Sequence, residues 1–158
     1  MRREIIVSGV ITYESSVSFI KQLLDLDSKS NDPIIIVINS PGGSVPALMA
    51  MLDAIDYVKS TVATVNVLQA SSAAAVLFAY GSKNNRMAFK YSRTMFHMPR
   101  GVVDSVLADS YTVIKELMDA ICANCLGITV KEYAKLTRLE LFLSADECIE
   151  LGVCDKKL

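Results

Sequence analysis

Stretches of β-branched residues alternate along the chain with segments whose apolar residues recur every three or four positions. Arg3 to Ile11 reads as a first strand, with Gly9 and Thr12 turning the chain at its end. Val17, Ile20, Leu23 and Leu24 then recur at helical spacing, with Ser15 or Ser16 available as N-cap. The polar run from Asp27 to Pro33 ends that helix. Ile34-Ile35-Ile36-Val37-Ile38 is a continuous β-branched run, as expected of a strand covered on both faces. It leads into Asn39-Ser40-Pro41-Gly42-Gly43, which predicts a turn in which two residues are free to take positive φ.

The next helix follows at once, with Pro46 in its first turn and Val45, Leu48, Met49, Leu52, Ile55 and Val58 along one face. Thr61 to Leu68 predicts a buried strand, and Ser71 to Tyr80 a helix stopped by Gly81. Short strands are expected at Arg86–Phe89 and Thr94–Phe96, and a long helix from about Asp104 to Leu126, capped by Gly127. Thr129-x-x-Glu132 and Ser144-x-x-Glu147 have the form of capping boxes that open two shorter helices. This β-α-β-α-β-α order predicts an α/β fold with a parallel β-sheet core, flanking helices and right-handed crossovers, in one domain over 1–158. In such sheets the working site forms where strands end and helices begin. The junctions at Gly42-Gly43 and at Ser72 are therefore the places to look.

Charge narrows the partners. The formal net charge is −1, and the only basic clusters are Arg2-Arg3 and Lys156-Lys157, so no nucleic-acid partner is expected. The opening MRREIIVSGVI superficially has the look of a signal peptide, but Glu4, Ser8 and Gly9 interrupt it. The longest apolar run, Ala73 to Tyr80, is far too short to cross a bilayer. No membrane association and a cytoplasmic location are the expectations. Cysteines fall at 122, 125, 148 and 154, and Cys122-x-x-Cys125 invites a zinc or redox reading. A structural zinc needs four converging ligands, and the other pair is not spaced as CxxC. Reduced, partly buried thiols are the default, with no metal and no cofactor expected.

The chain has one histidine, so any Ser–His or Cys–His mechanism must use His97. It lies between Phe96 and Met98, after a strand and before Pro99, where a packed or surface imidazole is the ordinary alternative. Ser72 stands where a strand hands over to a helix of small residues. A hydroxyl there lies in positive potential, beside free N–H groups able to bind an oxyanion. Serine is equally a common N-cap, and the adjacent Ser71 competes for either role. Gly42-Gly43 fits a bare turn, a phosphate cradle or a close main-chain approach to substrate. The cradle is weak, since no GK[ST] follows and the pattern is not GxGxxG.

Ile38-Asn39-Ser40-Pro41-Gly42-Gly43, Gln69-Ala70-Ser71-Ser72-Ala73-Ala74-Ala75, Met95-Phe96-His97-Met98-Pro99, Phe142-Leu143-Ser144-Ala145 and Gly152-Val153-Cys154-Asp155 together resemble the proteolytic subunit of the Clp protease, ClpP. The blocks run in family order from about Ile5 to Asp155. The resemblance implies a crotonase-like fold with a protruding handle helix, the handle region covering about 102–137. It implies Ser72 as nucleophile, His97 as general base and Glu140 as the acid, where the family carries aspartate. It implies an oxyanion hole from the main-chain N–H groups of Gly43 and Ala73, and substrate contacts at Gly42, Gly43 and Pro99. Asp146 is the rival acid, at the start of a capped helix. Leu68 and Ala74 stand where the family usually has glycine.

The resemblance also implies a homo-oligomeric, heptameric ring, able to stack as a double ring, with active sites facing an enclosed chamber. Polypeptide is the implied substrate and an AAA+ unfoldase the implied partner. The first functional reading is thus a serine endopeptidase acting on unfolded polypeptides or small peptides. A catalytically impaired ring subunit with a structural or regulatory role is the alternative. A third reading, acyl-coenzyme A chemistry with paired N–H groups polarising a thioester, lacks any sign of an adenine pocket.

Overall fold

The computed structural model describes residues 2–97 and 108–158, and the side chains of all of these except 108–111. Pro99, the start of the long helix near Asp104 and the start of the handle region lie outside the described residues. Strands β1 (Glu4–Ile11), β2 (Ile34–Gly43), β3 (Val62–Ser71), β4 (Arg86–Ala88) and β7 (Lys156–Lys157) lie side by side in that order, all parallel. β5 (Arg93–Phe96) pairs parallel with the far end of β3, and β6 (Leu141–Leu143) pairs antiparallel with β5. The expected α/β fold with a parallel core is therefore present. Its antiparallel flap, β6 on β5, and the two-residue β7 were not expected, because runs this short carry too little periodicity to register.

Local chemistry explains most boundaries. Helix α1 (Tyr13–Lys29) is capped by Thr12, with Ser15 completing a capping box, so neither Ser15 nor Ser16 is the N-cap. Its inner face is Ser16, Phe19 and Leu23, whereas Val17 and Leu24 point outward. Helix α2 (Val45–Tyr57) begins at Ser44, whose side chain accepts from the Ala47 N–H. The segment Asn39–Gly43 is not a simple turn: it stays extended as the end of β2, pairing Gly42 and Gly43 with Val10 and Ile11 across a bulge. A Cβ at Gly43 would enter the Ile11 backbone, so this strand approach needs glycine.

Helix α3 (Ala73–Ala79) is buried on every side, as expected for a helix that is hydrophobic all round. It packs on β2 and β3 and against α2 and α4 (Ala108–Leu126). Helices α5 (Val130–Leu136) and α6 (Ala145–Glu150) open with the two anticipated capping boxes. Arg86 fastens these layers together. Its buried guanidinium donates to both carboxylate oxygens of Asp155, at 2.7 and 3.0 Å, and to the carbonyls of Ala79 and Cys125. Burial alone would raise the Asp155 pKa, but the bonds from Arg86 outweigh it and hold the carboxyl below its ordinary value. Among the described residues, no helix is long and apolar enough to cross a membrane.

Candidate active site

Ser72 is the hinge between β3 and α3. Its backbone takes φ 55° and ψ −125°, a region that L residues avoid, and its N–H donates to the Met95 carbonyl of β5 at 2.8 Å. The strained turn lifts the hydroxyl out of the cap position: Ser72 makes no side-chain cap bond. Instead Oγ lies 2.8 Å from Nε2 of His97, the residue that follows β5. Ser71 has a different fate. It is buried, and its hydroxyl accepts from Nε2 of Gln69 at 2.9 Å. The ambiguity between the two serines therefore resolves in favour of Ser72 as the partner of the sole imidazole.

Gly42 and the start of a helix lie against Ser72. Ala73 is the first residue of α3, so its N–H has no acceptor within the helix. Gly42 has φ +95°, and a Cβ there would stand 2.5 Å from the Ser71 carbonyl oxygen and 2.8 Å from the Ser72 Cβ. The Gly42 N–H is occupied by the Ser40 hydroxyl at 3.0 Å. Leu68 and Ala74, the substituted glycine positions, differ in their surroundings: Leu68 is exposed on β3 and Ala74 is fully buried in α3.

The far side of the imidazole is less complete. Nδ1 of His97 is buried and has no hydrogen-bond partner among the described residues. Glu140 stands at the mouth of β6, which pairs with β5 in the register Thr94↔Leu143, Met95↔Phe142, Phe96↔Leu141. Glu140 and His97 each come one residue beyond the last pair of that ladder. Asp146 lies elsewhere, its carboxylate paired with Lys157 of β7. Sequence reading missed both the β6–β5 pairing and a buried carboxylate, Asp119, that lines the cavity beside Ser72. Asp119 falls in a helical pattern among Met118, Ala120 and Ile121, and nothing in its spacing set it apart.

The Clp protease family model matches residues 1–157, nearly the whole chain. The chain belongs to the Clp protease family. Among its relatives is the ATP-dependent Clp protease proteolytic subunit 3 of Synechococcus sp. (strain CC9902), 39% identical over 147 positions that cover 88% of this chain and 74% of the relative. The ATP-dependent Clp protease proteolytic subunit 2 of Prochlorococcus marinus (strain MIT 9312) is likewise 39% identical, with 88% and 72% covered. The corresponding subunit of P. marinus (strain NATL2A) is 38% identical, with 88% and 74% covered. The family membership anticipated from the Pro-Gly-Gly, Ser72 and His97 blocks thus holds across the chain. The zinc reading of Cys122 and Cys125 gains nothing from the geometry: all four cysteines are free, and the described residues hold no metal-binding cluster.

Proposed function

We propose that this Clp protease family chain is a serine endopeptidase, one peptidase domain over 1–158. The observation that carries the reading is the 2.8 Å approach of Ser72 Oγ to His97 Nε2 at a strained strand-to-helix turn. Nε2 takes the Oγ proton as Oγ attacks the scissile carbonyl, then returns it to the leaving amine. The oxyanion is received by main-chain N–H groups of Gly43 and Ala73, one such donor being worth about 3 kcal/mol. Glu140 orients the imidazole through Nδ1 and stabilises its cation. Gly42, Gly43 and Pro99 line the run of the substrate backbone, which binds as an added strand. Polypeptide or small peptides are the substrates, inside a homo-oligomeric heptameric ring that can double by stacking, in the cytoplasm. The names of the relatives, ATP-dependent proteolytic subunits, support an AAA+ unfoldase as the partner.

The impaired-subunit reading is favoured by one observation, that His97 Nδ1 has no hydrogen-bond partner among the described residues. A fluorophosphonate probe separates the two. The active peptidase labels at Ser72 and hydrolyses an unstructured fluorogenic peptide, and Ser72→Ala abolishes both. Equal labelling of Ser72→Ala overturns the assignment of the nucleophile. Absence of both labelling and hydrolysis in an assembled ring returns the impaired subunit.

A further inference from the structure

The cavity against the Ser72–His97 pair has a floor that the proposed chemistry leaves unused. Val45, Val76, Phe96 and Met118 give it apolar walls, while Asp119 reaches it from α4. At about 30 Å³ the space admits the tip of a side chain rather than a large ring. Asp119 is 4% exposed. Lys115, one turn earlier on α4, donates to its Oδ2 at 2.6 Å but does not line the cavity. The charge of the carboxylate is thus offset by a cation that is not part of the cavity wall. A carboxylate has four lone-pair directions, so one ammonium contact leaves it further acceptor capacity. Beside it Cys122 and Tyr133 also line the space.

On the reading of Ser72 as nucleophile, we infer that Asp119 is a specificity-determining residue that selects an uncharged, hydrogen-bond-donating side chain, of the glutamine or asparagine kind, on the residue whose carbonyl Ser72 attacks. An apolar side chain of equal length leaves the buried acceptor without the donor it was built to meet, which binding sites of this sort discriminate strongly. A substrate carboxylate meets Asp119 as a like charge. A substrate ammonium gains no net attraction, because the Lys115 cation bonded to Asp119 offsets the charge of the carboxylate.

Four fluorogenic peptides differing only in glutamine, methionine, lysine or glutamate at that residue test the inference on the full-length assembled protein. The wild type should cleave the glutamine peptide about tenfold or more faster, in kcat/KM, than any of the other three. The isosteric Asp119→Asn removes the negative charge and should raise the glutamate-to-glutamine ratio about tenfold or more. Lys115→Met bares the carboxylate and should move preference towards the lysine peptide by a similar factor. A wild type that prefers methionine, or variants that leave the ranking unchanged, overturns the inference. Fluorophosphonate labelling of Ser72 in each variant reports an intact catalytic pair without reading the cavity. Normal labelling with an unmoved ranking therefore sinks only the role of Asp119, whereas loss of labelling in the wild type sinks the peptidase reading with it.

Discussion

The backbone of Gly42 is seated directly against Ser72: a side chain at Gly42 would stand 2.8 Å from the Ser72 Cβ and 3.0 Å from the Ala73 nitrogen. The end of β2 is thus the mould that holds the turn between β3 and α3. Gly42→Ala asks for two things at once, a positive φ on an alanine and room that the Ser71–Ser72 peptide occupies. The sheet core does not depend on this contact, so the variant should fold. Displacing the nucleophile by a fraction of an ångström to an ångström should lower kcat/KM by about a hundredfold. Peptide hydrolysis alongside circular dichroism measures both; full activity in Gly42→Ala would show that the turn is held by something else.

Glu140 and His97 are 43 positions apart in sequence, yet each follows directly on the last pair of one strand ladder, Phe96↔Leu141. Because β6 pairs with β5, the backbone at 140 lies at the same end of that ladder as the backbone at 97. Glu140→Gln keeps the shape and removes the charge that would stabilise the imidazolium. Its kcat should fall by about 10³- to 10⁴-fold with KM little changed, as for other triads that lose the acid's charge. Glu140→Asp should recover part of that loss. A Glu140→Gln variant with unchanged kcat would remove Glu140 from the mechanism.

The contrast between these two sites shows what the sequence displays and what it hides. The parallel core was legible because Ile34–Ile38 is a continuous β-branched run and Thr61–Leu68 a largely apolar one, and because Gly42-Gly43 and Ser72 fall where such strands end. The choice of Ser72 over Ser71 was not legible from local chemistry, since both are serines at a helix start. It is decided by a backbone twist at 72 and by Gln69 occupying the other hydroxyl. The first helix cap was misplaced because Thr12, Ser15 and Ser16 are all competent caps, and only the φ/ψ of Thr12 distinguishes it. Asp119 was invisible for a related reason. An acidic residue in a helix is ordinarily solvated, and its burial depends on how α4 meets α3 and α5, a tertiary relation without a local signature.

Thiol chemistry offers an independent check on the packing of α4. Burial pushes the Cys122 thiol up to about 12 and that of Cys125 up to about 11. At pH 8 the thiolate fraction is then roughly one in a thousand or less, and only the thiolate reacts. Both cysteines should resist iodoacetamide in the native protein and modify rapidly once it is denatured, with mass spectrometry assigning the sites. The rate on the native protein should rise with pH well beyond the range in which an exposed thiol has levelled off. Rapid modification of Cys122 at pH 8 would show that α4 is not packed as described.

The pairing of Arg86 with Asp155 makes a prediction about acid stability whose sign follows from the shift. The Asp155 carboxyl is held below its ordinary value in the folded protein, so between the folded and unfolded pKa values the unfolded chain binds the extra proton. The contribution of Asp155 is therefore fully present above about pH 4, where an unfolded aspartate is ionised, and is lost as pH falls through the folded value. Asp155→Asn should flatten that part of the pH dependence of the denaturation midpoint. It should also cost about 3–5 kcal/mol at neutral pH, because it leaves a buried guanidinium without its counter-charge. Arg86 is 5% exposed, so water cannot easily substitute for the lost partner. Replacing both residues by apolar ones, Arg86→Met with Asp155→Leu, removes the stranded charge and should recover a large part of the single-variant loss. If the double variant is as unstable as the sum of its parts, the pair acts through its bonds to the Ala79 and Cys125 carbonyls, which Arg86 alone supplies, rather than through the charge of Asp155.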